Sequence, residues 1–180
     1  MIVVINKKRP DKDRRTVPMS HNPYMAEAIK EAKIALNKSE VPVGAVIARN
    51  GRIIARAHNL RESNRRATAH AELLSIEEAC RVLDSWRLDG CDIYVTLEPC
   101  PMCAGAIINA RIRALYFGAY DRKGGACGSA LDLFSVKSFD YTPTVYAGIM
   151  EETCENLLKK FFENLRLSNR PADPLQLKGC

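Results

Sequence analysis

Histidine is scarce in this 180-residue chain: only His21, His58 and His70 occur. Long apolar runs are missing as well. None approaches the ~20 residues needed to span a bilayer, so no membrane segment is expected. The opening MIVVINKKRP has five mainly apolar residues and then charge, too short and in the wrong order for a secretory signal. Asp11 and Asp13 interrupt the basic run that follows and serine is nearly absent from it, a poor fit to a mitochondrial-type presequence. The expected location is therefore cytoplasmic. A disulfide framework is not expected either, because the seven cysteines are odd in number and no signal peptide accompanies them. No internal repeat or domain linker is visible.

What is present describes a globular protein. Hydrophobic residues make up 47% and charged residues 27%, ordinary proportions, and the length suits one domain with a real core. Lysine and arginine outnumber aspartate and glutamate by 27 to 21, a formal charge of +6. That balance is compatible with a polyanionic partner without specifying one. Residues 1–21 read as a basic, flexible leader, 22–167 as a single ordered domain, and 168–180 as a flexible tail with two prolines.

Within the domain, Asn22 and Pro23 are a helix start signal. Met25, Ala28, Ile29, Ala32 and Leu36 then repeat at helical spacing. Two apolar runs, Val43 to Ala48 and Ile53 to Ala57, flank Asn50-Gly51, the favoured tight turn of a hairpin. The stretch NLRESNRRAT reads as a polar loop. The helix after it is expected to bury Leu73, Ile76, Cys80 and Leu83. CDIYVTL, ALYFGAY and TVYAGIM read as strands; CPMCAGAIINAR, Leu131 to Phe134, and Glu151 to Arg166 read as helices. This order predicts an α/β domain with helices against a mixed sheet, the hairpin strands antiparallel and later crossovers parallel.

Chemistry is concentrated in two short stretches. In EPCPMC, Cys100 and Cys103 stand three apart at the head of a helix, so both sulfurs share one face, and the helix N-terminus favours thiolate. Such a pair is either a redox couple or half a zinc site. In TAHAELLS, His70 and Glu72 also open a helix, where an acidic residue is ordinary in itself. His21 lies at the leader boundary and His58 follows a strand, which leaves His70 as the candidate third ligand. If both helices start from one edge of the sheet, their heads converge there. His70, Cys100 and Cys103 would leave one tetrahedral position of zinc for water, the mark of a catalytic site. Glu72, not a ligand, could then shuttle the proton of that water.

HAE followed by PCPMC resembles the zinc-dependent nucleoside and nucleobase deaminases of the cytidine deaminase-like fold. Further similar stretches are EVPVGAVI, ARAHNLRE, TAHAELLSIEEAC, SWRLDG, YVTLEPCPMCAGAI, GAYDRKGGACGS and LLKKFFENLR, which span Pro23 to Arg166. They are most similar to the branch that deaminates adenosine in tRNA. The resemblance implies a three-layer α/β/α fold with a central five-stranded mixed sheet, and one zinc ion per subunit. His70, Cys100 and Cys103 would bind the metal and Glu72 would be catalytic. Asn59, Gly44 and Ala71 would contact the base, and Asp121, Lys123, Phe162 and Arg166 the RNA. The implied reaction is hydrolysis of the wobble adenosine to inosine in a tRNA anticodon stem-loop, chiefly of an arginine tRNA, by a homodimer. An exposed loop base suits such a pocket, since it can be splayed out without opening a duplex.

The sequence departs from this pattern at Arg66-Ala67, where many relatives have Asp-Pro, and at FDYTPTV, where relatives commonly have an Asn-His pair. Two other functions stay open: a zinc deaminase of a free base or nucleotide such as guanine or cytosine, and a non-catalytic zinc-stabilised RNA-binding subunit. SWRLDG, FFENLR and the basic charge argue against the first, and Glu72 against the second.

Overall fold

A computed structural model describes residues 3–5 and 21–168; the rest of the leader and the tail from 169 onward lie outside the described residues. The leader supplies one element, strand β1 (Val3–Ile5). Asn22 caps helix α1 (Pro23–Asn37), its side-chain Oδ1 accepting from the Met25 N–H at 2.9 Å. Strands β2 (Gly44–Arg49) and β3 (Arg52–His58) form the expected hairpin. Asn50 and Gly51 turn between them with φ of 50° and 78°, left-handed values that asparagine and glycine tolerate.

The remaining elements are α2 (Arg61–Asn64), α3 (Ala71–Leu83), β4 (Cys91–Leu97), α4 (Pro101–Asn109), β5 (Ala114–Ala119), a 3₁₀ turn (Leu133–Ser135), β6 (Thr144–Ala147) and α5 (Glu151–Ser168). Strand order is β1-β6-β5-β4-β2-β3, with β4, β5 and β6 parallel and the other pairings antiparallel. The five-stranded mixed sheet inferred from the resemblance is thus present as β2 to β6.

Two features differ from the sequence reading. Val3–Ile5, within a leader expected to lack structure, pairs antiparallel with β6 from Val3↔Ala147 to Ile5↔Val145. A run of β-branched residues suits that pairing, which covers an otherwise open edge. Part of the stretch read as a polar loop also coils into the one-turn helix α2.

Side chains divide into two cores, one on each face of the sheet, giving the α/β/α layers. On one face α3 and α4 cover Ile47, Ile93, Val95, Leu115 and Phe117. On the other, α1 and α5 cover Val46, Tyr94 and Ala119. Tyr94, Tyr116 and Tyr146 lie opposite one another on β4, β5 and β6. Their rings stack at centroid distances of 4.4 and 4.5 Å, and Tyr24 from α1 extends the stack at 4.9 Å.

Helix α3 corrects an expectation. Its buried face is Ala71, Glu72, Ser75, Ile76 and Ala79, while Leu73, Cys80 and Leu83 are only half-buried. Small residues let the helix lie close over the sheet, and the larger ones border the contact. This rotation turns Glu72 inward.

Gly44 shows a similar close approach. A Cβ there would fall inside van der Waals contact with the Ala28 carbonyl oxygen and the Ala32 nitrogen of α1. Gly44→Ala is expected to lower the unfolding free energy by about 3 kcal/mol, because helix backbone cannot rotate away as a side chain could. A urea titration reads this, and an unchanged midpoint would mean that α1 moves outward without cost.

Candidate active site

Two helix heads meet beyond the carboxyl end of β4. Chain leaving β4 passes through Glu98 and Pro99 to Cys100, the residue that precedes α4, while His70 precedes α3 in the same way. Ligands of open α/β sheets gather at such carboxyl edges. His70 Nδ1 lies 3.6 Å from Cys103 Sγ and 3.9 Å from Cys100 Sγ. One donor atom from each residue falls within 4.8 Å of the others. For comparison, the N···S edge of a tetrahedral zinc site is roughly 3.6 Å when built from ordinary bond lengths.

The donor set also fits a divalent metal chemically. Hydrogen bonds from Cys103 and His70 pull the Cys100 thiol down to about 4 against the opposing effect of burial. Cys103 moves the other way, raised by its hydrogen bond with Cys100, by burial and by the nearby Glu72 charge. Its hydrogen bond with Cys100 holds His70 above its ordinary value, helped by the Glu72 charge. One thiolate is therefore readily formed, and the second is opposed by the negative charge already there. A cation among the three groups removes that opposition, as metal binding generally does when it displaces protons from its ligands.

Glu72 lies beside this cluster, 4% exposed, within hydrogen-bonding reach of Cys103. Burial is the largest influence on its carboxyl and holds it above the usual range. A buried acid that readily keeps a proton suits general acid–base work.

Asn59 ends the hairpin and is buried. Its backbone N–H donates to Val43 O at 2.9 Å, and the next residue, Leu60, donates to Ala69 O at 3.0 Å, one position before His70. Asn59 and His70 are thus mounted on hydrogen-bonded neighbours. Ala71 is fully buried between His70 and Glu72. Gly44 pairs with His58 at the start of β2, and its N–H donates to Thr96 Oγ1 at 3.1 Å. His58 stays outside the cluster, its Nδ1 2.9 Å from Glu31 and its Nε2 3.1 Å from Lys38 Nζ.

Asp121 and Lys123 stand on the loop after β5. Asp121 Oδ1 accepts from the Lys123 and Gly124 N–H groups, folding the loop back on itself. Phe162 and Arg166 are exposed on α5, in the opposite helical layer, and are not brought to the cluster.

Two buried acids went unassigned in the sequence. Glu98, 2% exposed, accepts from the N–H groups of Asp121, Cys127 and Ser129 and from the Ser129 hydroxyl. It fastens the loop carrying Asp121 and Lys123 to the segment that leads into Cys100. Glu40, fully buried, holds Asn59 and the start of α2. The available signal was an acid flanked by apolar residues or prolines, in SEVPVG and TLEPC. Glu98→Ala strands three backbone donors and is expected to cost at least about 3 kcal/mol in denaturant unfolding. A loss below about 1 kcal/mol would mean that water replaces the carboxylate.

Among the described residues no helix is long and apolar enough to cross a membrane. The profile of the MafB19-like deaminases matches residues 19–166. A tRNA-specific adenosine deaminase of Bacillus subtilis is 53% identical over 149 residues, covering 83% of this chain and 92% of that protein. One from Rickettsia bellii is 47% identical, covering 79% and 99%. A solved structure from work on A-to-I editing by tRNA:A34 deaminases superposes with a TM-score of 0.73 at 47% identity, covering 75% of this chain and 98% of that one.

Proposed function

The chain belongs to the MafB19-like deaminases and to the tRNA-specific adenosine deaminases, and from that premise we propose that it converts the wobble adenosine of a tRNA anticodon to inosine. The observation that carries the reading is the gathering of His70, Cys100 and Cys103 within 4.8 Å beside buried Glu72. A redox role for the cysteine pair gives no use to the imidazole or the carboxylate.

His70, Cys100 and Cys103 would hold a zinc ion, which when bound supplies a polarised water that ionises near neutral pH. Glu72 does the proton work. It accepts a proton from the attacking water and passes it to the purine ring as oxygen bonds to the carbon bearing the amine. It then assists departure of that amine as ammonia. The net change is adenosine plus water to inosine plus ammonia. Asn59 hydrogen-bonds the base, with Gly44 and Ala71 lending backbone beside it. Asp121 and Lys123 contact neighbouring nucleotides, and Phe162 and Arg166 meet the stem-loop farther away. The protein works in the cytoplasm as a homodimer, and its positive charge grips phosphates, so RNA binding weakens as salt rises.

Incubating zinc-loaded protein with an arginine-tRNA anticodon stem-loop and analysing its nucleosides tests the reading. Inosine at the wobble position is expected, with no turnover of free guanine or cytosine. Turnover of a free base without inosine would move the substrate assignment to that base.

A further inference from the structure

Glu40 has no part in the chemistry just described, yet it is fully buried at the turn between α1 and β2. Burial, the largest single influence, would raise its carboxyl, but donation from the Ser63 N–H and side chain and from the Glu62 N–H, together with the His58 charge, outweighs it and holds the group below the ordinary range. Oε1 accepts from Ser63 N–H at 2.7 Å; Oε2 accepts from Glu62 N–H at 3.2 Å and from Asn59 Nδ2 at 3.1 Å.

An ionised carboxylate only accepts hydrogen bonds. The group of Asn59 that faces Glu40 must therefore be the amide NH₂, and the carbonyl oxygen Oδ1 must point to the other side. Shape cannot make this choice, since the two ends of a side-chain amide are nearly the same size and differ only in polarity. With its backbone N–H also fixed to Val43, Asn59 has one orientation set by one neighbour.

We propose that Glu40 is a positioning residue that determines which way round the Asn59 amide is presented, and so sets the hydrogen-bonding polarity of the base pocket. This rests on the reading of Asn59 as a base contact. A pocket whose polar group faces the wrong way loses a hydrogen bond and leaves a buried polar atom opposed, the kind of mismatch that discriminates strongly between substrates.

Glu40→Gln tests it with little change in volume. The new carboxamide oxygen can still accept from Ser63, while its NH₂ takes the place of the oxygen shared by Glu62 N–H and Asn59, giving up the first bond and favouring the reversed orientation of the second. Using the zinc-loaded full chain and an arginine-tRNA anticodon stem-loop, we expect kcat/KM to fall about tenfold or more. Most of the loss should appear in single-turnover rate, with stem-loop affinity kept within about threefold because phosphates dominate it. In an Asn59→Ala background, which has no amide to orient, adding Glu40→Gln removes only the Glu62 contact and should lower kcat/KM at least about threefold less than it does with Asn59 present.

An equal loss in both backgrounds would overturn the proposal, because Glu40 would then act through α2 alone. If Asn59→Ala by itself costs nothing, the reading of Asn59 as a base contact fails and the proposal falls with it. Should Glu40→Gln not fold, the unmodified protein still decides the matter by NMR. The Asn59 side-chain NH₂, identified by its absence from Asn59→Ala, should exchange with solvent far more slowly than that of exposed Asn50 and show one proton shifted downfield. Equal exchange and unshifted protons would overturn the proposal.

Discussion

Replacing Glu72 with glutamine is expected to lower the single-turnover rate of inosine formation by about 10³-fold or more, the upper range of what a positioned acid–base group supplies. Glutamine keeps the size of the buried side chain but cannot carry the proton from water to the purine. The fold should survive, because the contacts of α3 are made by Ala71, Ser75, Ile76 and Ala79 as well. Melting temperature should be no lower than that of the unmodified protein, since burial opposes the Glu72 charge and the substitution removes it. Zinc content, measured by atomic absorption, should stay unchanged because Glu72 is not a proposed ligand. A variant retaining activity within about tenfold would remove Glu72 from the proton path.

His70→Ala is the second large effect. Two sulfurs cannot by themselves complete the donor set, so bound zinc should drop from about one ion per chain to below about a tenth, with deamination lost. His58→Ala is the control for metal content. It removes an imidazole held between Glu31 and Lys38, and zinc should be retained. Stripping the unmodified protein with a chelator should abolish activity and lower its melting temperature, and added zinc should restore both. Undiminished zinc in His70→Ala would take His70 out of the ligand set.

Elements governed by near neighbours were legible in the sequence. Asn22-Pro23, the Asn50-Gly51 turn and the helix heads at His70 and Cys100 follow from rules reaching only a few residues. The face of α3 was less legible, because Leu73 and Cys80 look like its anchors by hydropathy while Ala71, Ser75 and Ala79 make the close contact. Hydropathy records the wish to leave water; it does not record how near the sheet the helix must lie. Short β1 was missed for a related reason, since three residues carry too little pattern to announce a strand.

By itself the sequence determined which chemical groups were available. It placed Cys100 and Cys103 on one helical face, His70 and Glu72 within one turn, and few histidines to compete. Tertiary structure decided which groups meet. The approach of His70 to the cysteines spans 30 and 33 residues. The hold of Glu40 on Asn59 spans 19, and that of Glu98 on Cys127 spans 29. Contacts at such separations depend on strand order and helix rotation, which arise only when the whole core packs. Burial then gave the carboxylates separate tasks: one facing the cysteine cluster and two receiving backbone donors that water could no longer reach.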